Sequence, residues 1–175
     1  AASATTILLV EGERIVALSE ERGLREAGYE VVCARTGEQA VELAAEPSDF
    51  DIVLMDIDLG DGIDGTQAAK QILEHRELPV VFLTSHAEKA MVEKVKNITS
   101  YGYVLESTGD FVLLEAINMA LSLFESHRRL ATREEWLRTV VESLPMEFFV
   151  LDREYRYVMQ NGNSKAYIGD MTGRA

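Results

Sequence analysis

Short apolar runs alternate with polar segments of helical length along the first two thirds of the chain. The runs are Thr5–Val10, Tyr29–Ala34, Phe50–Met55, Pro79–Thr84 and Tyr101–Glu106. Four of them are nearly continuous Val, Ile, Leu and Phe, the pattern of strands covered on both faces. Between them lie Glu13–Ala27, Gly37–Ala45, Thr66–His75 and Glu88–Asn97, each long enough for a helix. This alternation predicts an α/β fold, a doubly wound parallel sheet of five strands. Right-handed crossovers then leave few topologies.

The rest of the chain reads differently. From Asp110 to Leu144 there is no Gly and no Pro, and Pro145 ends the run. Thr108 or Asp110 can cap its start. As one helix it would reach about 50 Å at about 1.5 Å per residue. Its first part, FVLLEAINMALSLF, is apolar enough to cover a sheet, and its second part is not. Leu123, Leu130, Leu137 and Leu144 fall seven apart, with Val141 on the adjoining stripe. That seam points to a two-stranded coiled coil, interrupted at the companion positions by His127 and Glu134. The alternative is one amphipathic helix lying on the next domain. FFVLD and YRYVMQ then read as two strands around a tight turn, followed by a loop and a short helix. Some thirty residues cannot bury a core alone, so a second domain begins here and is cut off. The expected division is 5–125 for the α/β domain, 126–144 for a linker helix and 145–175 for the partial α+β segment.

The net charge of -13 over 175 residues disfavours binding to nucleic acid or to an anionic membrane surface. Cys33 is the only cysteine, which fits a reducing cytoplasm and leaves a small buried hydrophobe. No apolar run reaches the length of a membrane span.

Ligands of open parallel sheets bind beyond the carboxyl ends of the strands. Those ends carry Glu11-Gly12-Glu13, Asp56-Ile57-Asp58, Thr84-Ser85-His86 and Glu106-Ser107. Acids from several strand ends would converge in one cleft. Oxygen donors at that density suit a hard cation such as Mg²⁺. A cation there would neutralise an incoming phosphoryl group, and an Asp carboxylate can form an acyl phosphate. A single acid would read as a solvated loop residue.

ILLVEGE, DIVLMDIDLGDGIDG, PVVFLTS and YGYVLES, in that order, resemble the receiver domain of two-component response regulators. The resemblance covers about Thr5 to Glu125 and implies a flavodoxin-like sheet in the order 2-1-3-4-5. It implies a non-enzymatic module that accepts a phosphoryl group on Asp56 from a histidine kinase or phosphotransfer protein. It further implies a switch hydroxyl at Thr84 and a switch aromatic at Tyr103. Mg²⁺ would be held by Glu11, Asp56 and the backbone of Asp58. Receivers of this family often pair through the fourth and fifth helices and the fifth strand. The segment 88–97 is charged and weakly amphipathic, so a homodimer here would rest on the last helix and the linker leucines. VVESLPMEFFVLDREYRYVMQN resembles the lead helix, first two strands and following Asn161 of a PAS sensor domain. A receiver joined to PAS is the layout of some sensor kinases and hybrid regulators.

Two departures stand against the family. Gly12 takes the place of the second acid, a direct metal ligand. Glu106 takes the place of a lysine that pairs with the acceptor and then with the phosphate. A carboxylate there reverses the charge where negative charge must accumulate. Three readings follow. Asp56 is phosphorylated with Glu13 or Asp58 compensating; or the receiver is degenerate and signals by dimerisation alone; or the two residues were introduced to bias the switch. Impaired or absent phosphorylation is the expectation. A remote alternative is an Asp-based phosphatase of the haloacid-dehalogenase type, but Leu59 stands where its motif carries Gly, and the motif follows the third strand. An EF-hand loop is excluded, since Asp61 and Gln67 occupy its glycine and glutamate positions.

Overall fold

Runs rich in Val, Ile and Leu cannot turn one side to water, so each of the central strands is buried on both faces. The computed structural model describes residues 4–46, 50–85, 95, 98, 101–105 and 108–173. In it β1 (Thr6–Val10), β2 (Glu30–Ala34), β3 (Ile52–Asp56), β4 (Val80–Thr84) and β5 (Tyr103–Leu105) form one sheet. The order is β2-β1-β3-β4-β5, and every neighbouring pair is parallel. The expected doubly wound architecture and strand order are therefore present.

The period of two along each strand divides the core into two layers. Leu8, Val10, Val53, Met55, Val80 and Phe82 pack with Ala40 and Ala44 of α2 (Gly37–Ala45) and Ala68, Ala69 and Ile72 of α3 (Gly65–His75). Ile7, Leu9, Ile52, Leu54, Val81 and Leu83 pack with Leu24 of α1 (Arg14–Glu26). The same layer takes Leu113, Ile117 and Ala120 from α4 (Asp110–Ser143). Thr36 and Asp64 cap α2 and α3 by accepting from the Gln39 and Gln67 N–H groups. The Thr108 hydroxyl, just before α4, donates to the Leu105 carbonyl at 2.6 Å. The helix expected over Glu88–Asn97 lies, apart from Val95, outside the described residues, as do His86, Glu106 and Ser107.

Cys33 departs from expectation. β2 is an edge strand, so its thiol is only half-buried. Desolvation and, after it, the nearby Glu21 carboxylate push the thiol up to about 11. It stays protonated at neutral pH and is a poor nucleophile.

The chain forms two units, Ala1–Glu125 and Ser126–Ala175. In the second, β6 (Phe149–Leu151) and β7 (Tyr157–Gln160) pair antiparallel. Asp152 builds the turn: its Oδ1 accepts from the Glu154 and Arg156 N–H groups, and Tyr155 takes a left-handed φ of 63°. Asn161 caps α5 (Gly162–Ile168) and is fully buried. Its Oδ1 accepts from the Phe148 and Ser164 N–H groups, and its Nδ2 donates to the Val141 and Met146 carbonyls. One side chain thus ties the end of α4, the approach to β6 and the start of α5. Asn161→Ala would strand several buried polar groups, at about 1–3 kcal/mol for each one left unpaired. The expected result is a lower urea midpoint for this unit and faster hydrogen exchange at the Phe148 and Ser164 amides.

Candidate functional site

The site is built at the carboxyl edge of the sheet by strand register. Val10 pairs with Met55 across β1 and β3, so the next residues, Glu11 and Asp56, stand on adjacent strand ends. Asp56 pairs with Leu83, which sets Thr84 one residue further along β4, where it pairs with Leu105 of β5. Glu11, Asp56 and Thr84 are all buried, at 2%, 6% and 8% exposure. Buried acids of this kind are uncommon outside functional sites.

The two acids use the same local device. The Glu13 N–H donates to Glu11 Oε1 at 2.7 Å, and the Asp58 N–H donates to Asp56 Oδ1 at 3.1 Å. Each buried carboxylate accepts from the amide two residues on and so shapes the loop that leaves its own strand. The side chains of Glu13 and Asp58 are exposed. Among the described residues, no three His, Cys, Asp or Glu side chains gather to hold a metal ion. The broad carboxylate cluster expected from the strand ends is therefore narrower. Among the described residues two buried carboxylates remain, because Glu13 and Asp58 meet the pocket through their backbone amides. The donors are all oxygen, and Mg²⁺ accepts one or two carboxylates with water completing its shell. Glu11, Asp56 and the Asp58 carbonyl would hold it.

Gly12 is set by packing. A Cβ there would stand 3.2 Å from the Leu59 carbonyl oxygen, so the loop after β3 closes over it. Glu38 holds the far side of that loop by accepting from the Ile63 N–H at 2.9 Å, and this contact keeps its carboxyl below the ordinary range. Arg35, which follows β2, donates from Nη2 to the Gly12 carbonyl at 2.6 Å. Sequence reasoning missed Arg35. Its signal was a lone basic residue directly after a strand, in CARTGE. Gly65 was also missed: it opens α3 directly against the Asp56 carbonyl.

Tyr103 sits at the start of β5, pairs with Phe82, and is 38% exposed. It therefore stands at the sheet edge, away from the strand ends that carry the acids. Tyr101 packs its ring edgewise on Phe124 at 5.8 Å between centroids. Leu123, Leu130 and Leu137 are exposed along α4, while Leu144 is half-buried. Among the described residues, no helix is long and apolar enough to cross a membrane.

The family model of the response regulator receiver domain matches residues 7–118. The transcriptional regulatory protein PdtaR of Mycobacterium tuberculosis (strain ATCC 25618 / H37Rv) is 34% identical over 141 residues, 79% of this chain. The chain spans 65% of the length of that relative. One similar structure is the N-terminal domain of a response regulator/sensory box/GGDEF 3-domain protein from Carboxydothermus hydrogenoformans. It is 46% identical with a TM-score of 0.66, over 70% of this chain and 98% of that one. Another is the signal receiver domain of a modulated diguanylate cyclase from Desulfovibrio desulfuricans G20. It is 27% identical with a TM-score of 0.63, over 71% of this chain and 99% of that one. Strand order, buried acids and family match agree: the chain belongs to the response regulator receiver family and carries the receiver domain of a two-component system.

Proposed function

We propose that Asp56 is the phosphoacceptor, and that the chain couples this receiver to the opening of a PAS-type sensory module in a longer signalling protein. The observation that carries the reading is the buried Asp56 carboxylate at the end of β3, with one oxygen held by the Asp58 N–H. A carboxylate oxygen of Asp56 takes the nucleophile's part. Its lone pair forms the bond to phosphorus as the phosphorus–nitrogen bond of a phosphohistidine donor breaks, and the leaving imidazole recovers a proton. Thr84 is suited to donate its hydroxyl proton to a phosphoryl oxygen, from the neighbouring strand end. Bound Mg²⁺ would supply neutralisation of the developing charge. Tyr103, on the edge strand beyond Thr84, would report the phosphorylated state.

The change would travel through α4, which leaves the receiver and ends at Ser143. The sensory-box name of the relative from Carboxydothermus hydrogenoformans supports a PAS reading of the β6–β7 hairpin. The diguanylate cyclase relative supports an output of that kind further along the protein. Histidine kinases or phosphotransfer proteins are the donors, docking at the receiver. Ile15, 83% exposed, borders a cavity of about 350 Å³ between α1 and the start of α4 and offers an apolar contact for them.

Phosphorylation is weakened by Gly12 and Glu106, one a missing acid and the other a reversed charge. The test is intact mass after incubation with acetyl phosphate and Mg²⁺. A slow, sub-stoichiometric gain of one phosphoryl group is expected, absent in Asp56→Asn and in the presence of EDTA. Full modification at ordinary Mg²⁺ would refute the weakened pocket; a gain that survives Asp56→Asn would refute the acceptor.

A second reading has its own support in the exposed apolar row on α4. There the receiver serves as a phosphorylation-independent homodimerisation module. A dimer of unchanged mass with and without phosphodonor favours it.

A further inference from the structure

The linker leucines admit two heptad registers, and they predict different pairings. With the leucines at d, the companion a positions are Ala120, His127, Glu134 and Val141. With the leucines at a, the d positions are Val112, Met119, Ser126, Arg133 and Val140. In the receiver unit Ala120 is fully buried, in the core layer with Leu113 and Ile117. That row already faces the sheet and has no surface left for a partner. Met119, one residue before Ala120, is 63% exposed, and Val112 and Leu123 are exposed with it. In the second unit, Met159 of β7 and the α4 residues Ala131, Glu134, Leu137 and Arg138 line a cavity. Leu130, Trp136 and Val140 are exposed, at 60%, 62% and 38%. The open companions of the leucines are therefore Val112, Met119 and Val140. The row of Ala120 continues through His127 and Glu134, which are exposed but polar.

We infer that α4 pairs in parallel with α4 of a second copy of this chain, with Leu123, Leu130, Leu137 and Leu144 at a. This deepens the dimer reading above and rests on it. Charge complementarity chooses the occupant. In a parallel pair, a g residue meets the e residue five positions later on the partner. In this register Arg129 meets Glu134 of the partner subunit, and Trp136 meets Val141 of the partner subunit. In the other register Arg133 would meet Arg138 of the partner subunit, two like charges. Leucine at a with valine at d admits bundles of more than two strands. Arg133 at d opposes them, because a wider core would desolvate more arginines.

The experiment uses the whole chain in a Cys33→Ser background, without phosphodonor and carrying Asp56→Asn. Its outcome is then independent of the phosphorylation reading. Leu130→Cys and Val140→Cys are expected to form disulfide-linked dimers under mild oxidation, several times faster than His127→Cys. Faster crosslinking at His127→Cys, or an antiparallel pattern, would overturn the register. In sedimentation, Arg129→Glu or Glu134→Arg alone is expected to raise the dimer dissociation constant about tenfold. The Arg129→Glu/Glu134→Arg double variant is expected to return it near its starting value. A monomer at all concentrations, a trimer or tetramer, or a double variant weaker than either single one would overturn the pairing.

Discussion

Gly12→Asp combined with Glu106→Lys is expected to raise the rate of Mg²⁺-dependent phosphorylation of Asp56 by about a hundred- to ten-thousandfold. Each substitution returns one charge-assisted contact, worth about 1.5–3 kcal/mol, and 1.4 kcal/mol corresponds to about tenfold. The two act on different terms. An acid at position 12 adds a third carboxylate to Glu11 and Asp56 and so tightens the hold on a cation. A lysine at position 106 removes a like charge and supplies a fixed counter-charge for the phosphate. The packing adds a condition. Any side chain at position 12 meets the Leu59 carbonyl at 3.2 Å, so the loop after β3 must give by a few tenths of an ångström. Gly12→Ala isolates that steric cost. The measurement is the initial rate of mass gain with acetyl phosphate over a Mg²⁺ titration. A rate in the double variant equal to that of the parent would remove the two departures as the cause of a weak pocket.

Gly65→Ala is expected to cost about 3 kcal/mol of receiver stability, at the upper end of what overpacking a close site does. A Cβ at Gly65 would overlap the Asp56 carbonyl oxygen and stand 3.0 Å from Ile57 Cα. Both are backbone, so neither can swing aside as a side chain would. Relief requires moving the end of β3 and the first turn of α3 apart, which also displaces Asp56. Gly23→Ala is the matched control. Gly23 lies inside α1, and its Cβ would meet nothing closer than Asp110 Oδ2 at 3.6 Å. That change is expected to stabilise by about 0.5–1 kcal/mol through helix entropy. Urea denaturation of the two variants reads both signs. Equal midpoints would refute the close packing of Gly65 against β3.

Much of the receiver was legible in the sequence because its signals are local. A strand covered on both faces must be apolar throughout, and that pattern marked four of the five strands. Position at the strand ends then drew attention to the stretches holding Glu11, Asp56 and Thr84, since topology fixes where a parallel sheet opens, and the family resemblance singled out those three. The tight turn between the two C-terminal strands and the short helix after them were also local. The part played by Glu13 was not. Residue type suggested a compensating ligand, whereas its backbone amide bonds to Glu11 and its side chain is exposed; for Asp58 the resemblance already implied a backbone part. Arg35 was invisible because its partner, the Gly12 carbonyl, comes from another strand.

The sequence by itself determined the alternation of elements, the two core layers and the strand ends where the acids lie, because hydrophobic periods of 2 and 3.6 are properties of one segment at a time. Tertiary structure decided what depends on two segments meeting. Gly12 is a packing residue because Leu59 closes over it, and Cys33 is half-exposed because β2 lies at the edge. Within the receiver unit, Met119 of α4 is open because the sheet covers Ala120 and leaves the neighbouring row in water.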